Sequence, residues 1–189
     1  MTEPEADLWL FGYGSLIWKA DFDFQLRKPA SLSGWQRRFW QGSHDHRGTP
    51  DNPGRVVTLI QEPGANCVGM AYLISANQAP KVLEHLDFRE KNGYERFDAP
   101  IRFIEPDSDG QPVSSEMPEV TALVYVATPD NFAHLGPAPD EAIAEQIANS
   151  VGPSGSNREY LLELHRALSD LGTSDAHVSR LVDLVRNLG

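Results

Sequence analysis

A single cysteine, Cys67, stands among 189 residues. One thiol cannot close an intramolecular disulfide, cannot form a redox dithiol and cannot supply the several thiolates that cysteine-rich zinc sites require. Long hydrophobic runs are also missing, since no stretch approaches the roughly 18 consecutive apolar residues of a membrane-spanning helix. The opening MTEPEAD is acidic, the reverse of a cationic signal or transit segment. These absences lead us to expect a cytoplasmic protein without a membrane partner, organised as a flexible extension over residues 1–7 and a single domain over 8–189.

Positive charge is scarce as well. Lys and Arg number 16 against 27 Asp and Glu, a net charge of -11. That balance argues against nucleic acid as a partner, because neutralising phosphates with cations dominates such binding. The deficit is uneven: between Phe103 and Asn157 lie nine acidic residues and no Lys or Arg. By contrast Arg27, Lys28, Arg37, Arg38, Arg47 and Arg55 crowd a region opposed only by Asp45 and Asp51. This basic island has two readings: arginines solvated on strand edges, or a surface that receives a small anion such as a substrate carboxylate.

What is present reads as an α+β domain. Residues 8–13 (LWLFGY) form an apolar run ended by Gly14, a buried strand stopped by a turn. Residues 31–41 are aromatic-rich and strand-like, with Gly34 a candidate bulge. Strands are expected over 55–61 and 67–75, joined by a hairpin at Glu62, Pro63, Gly64, Ala65 and Asn66. The period then changes: Val82, Leu83, Leu86 and Phe88 predict a helix over 77–90, stopped by Lys91, Asn92 and Gly93. Strands over 96–104 and 120–127 follow, separated by a polar loop, and then helices over 140–151, from Ser156 onward, and over 174–188. Ser156 and Glu159 have the spacing of a capping box. The order suggests a small barrel flanked by helices.

Three segments carry candidate chemistry. Gly12, Tyr13, Gly14, Ser15, Leu16 and Ile17 lack the third glycine of a dinucleotide fingerprint and the spacing of a nucleophile elbow. What remains is a turn whose exposed N–H groups, with the Ser15 hydroxyl and Tyr13 phenol, suit a carboxylate or carbonyl oxygen, unless it is a tight turn and nothing more. Glu90 ends a predicted helix, where the negative end of the helix dipole raises a carboxyl's proton affinity toward that of a general base. His44 and His46 alternate on one segment and could offer two metal ligands, but no third with matching spacing is evident, so a polar loop is preferred. Cys67 lies in an apolar strand run and reads as a core residue.

Several of these segments occur together, in one order, as a family pattern. FGYGSLIW ending at Trp18, RFWQGS ending at Ser43, DHRGTP from Asp45, PGRVVTL from Pro53, DFREK from Asp87, GPAP from Gly136, IAEQI from Ile143 and GPSG from Gly152 resemble the ChaC family of glutathione-specific γ-glutamylcyclotransferases. Departures are few: His44 stands where Thr is usual, Asn92 where Gly often follows Lys, and an acidic extension precedes Leu8. The resemblance implies a γ-glutamylcyclotransferase-like small mixed β-barrel flanked by helices. It implies a lyase that cuts glutathione to 5-oxoproline and cysteinylglycine without metal or organic cofactor. It further implies that the turn from Gly12 to Ile17 receives the γ-glutamyl group, that Glu90 is the base, and that Tyr160 lies beside the substrate. The basic island would then anchor the glycine carboxylate through Arg38, Arg47 or Arg55. Alternatives are a cyclotransferase for other γ-glutamyl amines or dipeptides, and a γ-glutamyl-binding domain without turnover.

Overall fold

A computed structural model describes residues 6–90, 93–106, 109, 112–114 and 118–189. The opening strand β1 (Leu8–Gly12) is apolar throughout, and its last three residues are buried. β2 (Leu26–Ser43) and β3 (Gly54–Ile74) form a long antiparallel ribbon, and β1 pairs antiparallel with the C-terminal half of β3. β4 (Glu95–Pro106) and β6 (Val120–Val126) complete the main sheet, with β5 (Pro112–Ser114) as a short ribbon on β4. β6 pairs with β1 in parallel, and β4 returns to β2 at Ala30↔Phe103 and Ser31↔Arg102. That last pairing closes a five-stranded barrel, β2-β3-β1-β6-β4, mixed because of its one parallel contact. The mixed barrel flanked by helices expected from the sequence is present.

α1 (Ala79–Arg89) crosses from β3 to β4 and buries Val82 and Leu86, with Pro80 accommodated in its first turn. The chain ends in α2 (Asp140–Asn149), α3 (Asn157–Asp170) and α4 (Ala176–Asn187), which pack together, with the two-residue strands β7 (Val151–Gly152) and β8 (Gly155–Ser156) between α2 and α3. One core runs from the barrel (Phe11, Phe39, Tyr72) into the helical layer (Ile143, Leu164, Leu181). Cys67 belongs to it, 2% exposed, and burial pushes its thiol pKa up. Among the described residues no helix is long and apolar enough to cross a membrane.

Three sequence expectations need correction. The hairpin at 62–66 does not form, because both flanks pair with the same strand: Asn66 opposes Ser33 and Gln61 opposes Trp35. The chain therefore continues through a bulge in β3, with Gly34 and Gly64 at positive φ where both strands bend. The capping box is half formed. Glu159 N–H donates to Ser156 Oγ at 3.1 Å, but the Glu159 carboxylate pairs with Arg47 at 2.8 Å instead of turning back. The polar loop after β4, expected to be loop throughout, contains β5. Lys91 and Asn92 of the expected helix stop, the first five residues of the expected extension and part of that loop lie outside the described residues.

Candidate active site

The end of β1 delivers the chain into a tight turn. Gly12 is required there because a Cβ would come within 2.5 Å of the Leu16 Cβ. Residues Ser15–Ile17 form one 3-10 turn capped by Gly14 without a side-chain hydrogen bond, so its leading N–H groups are left for other acceptors. Arg37, 2% exposed, holds this turn from below: its Nε donates to Tyr13 O (2.7 Å), Nη2 to Val68 O (2.6 Å) and Nη1 to Asp175 (2.9 Å).

Glu90 follows the last residue of α1, its N–H donating to Leu86 O at 2.7 Å. Its side chain is 20% exposed, and burial raises its pKa; Asp21 and Asp45 add to the rise and Arg89 opposes it. Desolvation therefore perturbs this carboxyl first, whereas the sequence pointed to the helix dipole.

Two adjoining cavities meet at Glu90. The inner one, about 60 Å3, is walled by Gly12, Tyr13, Gly14, Ser15 and Leu16 together with Glu90, Tyr94 and Tyr160. The outer one, about 310 Å3, shares Ser15, Glu90, Tyr94 and Tyr160 with it and extends to Arg47, His46, Lys19 and Arg89. Its volume reaches the range of small-molecule sites, about 300–1,000 Å3. Ile17 lines neither cavity; its side chain is 5% exposed and packs in the core.

The phenols here are held protonated. Burial first, then the Glu90 charge, keeps Tyr13 far above the ordinary phenol value, and Tyr94 is raised mainly by burial. Burial pushes Tyr160 up to about 12 despite a backbone hydrogen bond with Val57 that lowers it. Tyr13 spends its proton on Tyr125 O (2.7 Å). The Tyr160 oxygen lies 3.0 Å from where a Gly14 Cβ would stand, at the mouth of the turn. Its ring is fixed edge-on between Trp18 and Phe39, with the Arg47 guanidinium 5.8 Å from its centre.

The basic island is not one surface. Arg37 and Arg55 are buried and structural: Arg55 donates to Gln146 Oε1 (2.7 Å), Phe39 O (3.0 Å) and Gly136 O (3.1 Å), fastening β3 to α2. Arg38 is spent on the Arg37 carbonyl and on Gln36, away from both cavities. Of the three candidate anchors only Arg47 lines the site. Its loop is locked by Gly48, Gly54 and Gly152, where added Cβ atoms would fall 2.1–2.4 Å from backbone atoms. Nor do His44 and His46 act together: the His44 ring stacks on Phe132, whereas His46 Nδ1 meets Ser154 Oγ at 3.1 Å. Among the described residues no group of three or more potential ligands is placed to hold a metal.

Sequence reasoning missed Tyr94 and Arg89. Tyr94 N–H donates to Glu90 O at 3.3 Å and its side chain lines both cavities, a placement without local signature in the sequence. Arg89 was visible only as the neighbour of Glu90.

Residues 8–188 match the family model described as ChaC-like protein. The chain is 44% identical over 185 residues to γ-glutamylcyclotransferase 2-3 of Arabidopsis thaliana, covering 96% of this chain and 89% of that protein. It is 42% identical over 187 residues to human glutathione-specific γ-glutamylcyclotransferase 1, covering 97% and 80%. A crystal structure of a yeast γ-glutamyl cyclotransferase specific to glutathione superposes with a TM-score of 0.85 at 33% identity, over 96% of each chain. By sequence and by fold, the chain belongs to the family of ChaC-like proteins.

Proposed function

We propose that this chain is a lyase that cuts the γ-glutamyl bond of glutathione, releasing 5-oxoproline and cysteinylglycine. One observation carries the reading. A single carboxyl of raised proton affinity, Glu90, stands in the wall shared by a glycine-turn cavity and an outer cavity large enough for the rest of a tripeptide. Human and yeast relatives named glutathione-specific γ-glutamylcyclotransferase, and a plant relative named γ-glutamylcyclotransferase, support it.

The substrate brings both reacting groups, its γ-glutamyl α-amine and its γ-amide carbonyl, so no covalent enzyme intermediate is needed. Glu90 takes a proton from the α-ammonium, and the freed amine attacks the γ-carbonyl carbon, forming the C–N bond of a five-membered ring. The tetrahedral oxyanion collapses, the bond to the cysteinyl nitrogen breaks as Glu90 returns its proton to that leaving nitrogen, and the second proton on the new ring nitrogen passes through Glu90 to the departing amine, which leaves as an ammonium. No water is consumed. Holding amine and carbonyl in attack geometry supplies part of the about 7–11 kcal/mol available from orientation. The N–H groups of the Gly14 to Leu16 turn and the Tyr160 hydroxyl are the donors for the glutamyl carboxylate and the oxyanion. The base and the hydrogen-bond donors in this scheme are side chains and backbone of the protein, the reacting groups are the substrate's, and the proposed reaction draws on no cofactor.

Arg47 is the anchor for the glycine carboxylate. Its Nη1 is committed to Ser156 O (3.1 Å) and Glu159 (2.8 Å), while its Nε and Nη2 donors carry no partner among the described residues and form the edge that accepts a carboxylate bidentately. The reading sets the enzyme in the cytoplasm, where glutathione keeps thiols reduced.

Release of 5-oxoproline from glutathione by the purified protein tests the reaction. Comparison with the glycinamide of glutathione tests the anchor: Arg47→Met should raise KM for glutathione and leave the amide unaffected. Equal effects on both substrates would remove Arg47 from that role.

A further inference from the structure

We infer that Arg89 is a positioning residue for this reaction, one that fixes the Ser15 hydroxyl as a donor aimed into the cavity and steadies the Glu90 carboxylate. The inference rests on the cyclotransferase reading above.

Arg89 closes α1 and reaches three elements at once. Its Nη2 donates to Ser15 Oγ at 2.5 Å, its Nη1 to Asp21 Oδ1 at 2.9 Å and to Lys19 O at 3.5 Å, and its Nε stands 3.6 Å from Glu90 Oε1. The guanidinium thus bridges the base, the glycine turn and the segment that leaves it. Its side chain is 18% exposed, and four of its five N–H groups face these partners. So committed, it is better suited to hold neighbours than to leave them for substrate.

The contact with Ser15 has a directional consequence. A guanidinium carries donors only, so Ser15 Oγ must accept from it, and the serine's own proton must point elsewhere. Ser15 borders both cavities, the place where an oxyanion or substrate carboxylate would lie. Without Arg89 the hydroxyl could rotate and offer a lone pair to that oxygen, which would repel it. A fixed donor at a developing negative charge needs no reorganisation during the reaction.

The bridge is itself tethered. Asp21, which receives Arg89, also faces His85 Nε2 at 3.2 Å. Burial works against the Asp21 charge, but Arg89 and His85 outweigh it and hold that carboxyl below its ordinary value, so Asp21 remains a fixed counter-charge. Groups facing Glu90 come from several elements: Arg89 beside it, Asp21 after the 3-10 turn, Asp45 in the β2–β3 loop, and the Tyr13, Tyr94 and Tyr160 phenols. Among the described residues Arg89 is the cation that acts on Glu90. A lysine could keep the charge but not span Ser15, Asp21 and Glu90 together.

The test compares wild type, Arg89→Lys, Arg89→Met, Ser15→Ala and the Arg89→Met/Ser15→Ala double variant, measuring 5-oxoproline release from glutathione across pH, with folding checked by thermal melting. Arg89→Met should lower kcat about 100-fold, as loss of one fixed donor does, with KM moving less than about threefold. The acid limb of its kcat/KM profile should move to higher pH, because the cation favouring ionised Glu90 is gone. Arg89→Lys should restore the limb but not kcat. The double variant should be no slower than Arg89→Met within about threefold, since both changes remove one donor. A kcat near wild type, an unmoved acid limb, or losses that multiply in the double variant would each overturn the inference while leaving the cyclotransferase reading intact. If Arg89→Met does not fold, Ser15→Ala and Arg89→Lys decide: wild-type kcat in both would overturn the inference. A wild-type protein that releases no 5-oxoproline would overturn that reading and the inference together.

Discussion

Replacing Arg37 with methionine should destabilise the whole domain, although Arg37 touches no substrate. The side chain is almost wholly buried and makes three hydrogen bonds to separate elements: the Tyr13 carbonyl under the glycine turn, the Val68 carbonyl in β3, and Asp175 at the start of α4. Methionine fills much of the same volume but donates nothing. Two buried carbonyls would then be orphaned, at about 1–3 kcal/mol each. Asp175 is the milder loss, because its other oxygen still accepts from His177 N–H (3.0 Å) and Val178 N–H (3.2 Å) at the N-terminus of α4. The two carbonyls alone sum to about 2–6 kcal/mol, a range that spans the cost of breaking other buried charged pairs. For a chain of this size each kcal/mol shifts the midpoint by about 2–4 °C, so the melting temperature should fall by roughly 4–24 °C. Circular dichroism melts and urea titrations would measure it, and at temperatures where the variant is folded its kcat should also fall, because the Tyr13 carbonyl anchors the turn. A loss under about 1 kcal/mol, the scale of an ordinary surface substitution, would refute the view that this arginine is a structural clamp.

Other expectations follow from the same geometry. Burial raises the Glu90 pKa above its unfolded value, so the folded protein binds that proton more tightly, and wild type loses stability as pH climbs from the unfolded to the folded value. Glu90→Gln cannot titrate, so its melting temperature relative to wild type should increase from about pH 4 toward pH 8, and a constant difference across that window would contradict the assignment. In Gly14→Ala the new methyl would sit 3.0 Å from both the Tyr160 hydroxyl and Val57 Cγ2, pressing on the inner cavity. Turnover should drop at least about tenfold with only a modest change in melting temperature, and unimpaired turnover would show that Tyr160 gives way freely. Treatment with EDTA should leave activity unchanged, and a loss reversed by zinc would return attention to His44 and His46.

Local patterns carried much of this in the sequence itself. An apolar run stopped by glycine gave β1 and its turn, a change of period gave α1, and the Ser156 cap marked the start of α3. What escaped depends on long-range pairing. Proline and glycine at 62–66 fit a hairpin and a bulge equally well, and only the common partner β2 decides between them. The arginine island admitted two readings, solvated strand edges or an anion-receiving surface, yet Arg37 and Arg55 are buried because carbonyls 16 to 81 residues away receive them. The Glu159 carboxylate leaves its cap for Arg47, a loop residue 112 positions earlier. Arg89 and Tyr94 join the site only through tertiary contacts, Arg89 by reaching Ser15 and Tyr94 by lining the cavities beside Glu90.

The central claim is that Glu90 moves the proton in an intramolecular cleavage of glutathione. Its most direct test is 5-oxoproline formation by wild type and Glu90→Gln side by side at saturating glutathione, both confirmed folded. The account predicts stoichiometric 5-oxoproline and cysteinylglycine from wild type and a loss of about 100-fold or more in the variant. A Glu90→Gln protein that turns over glutathione at the wild-type rate would contradict it.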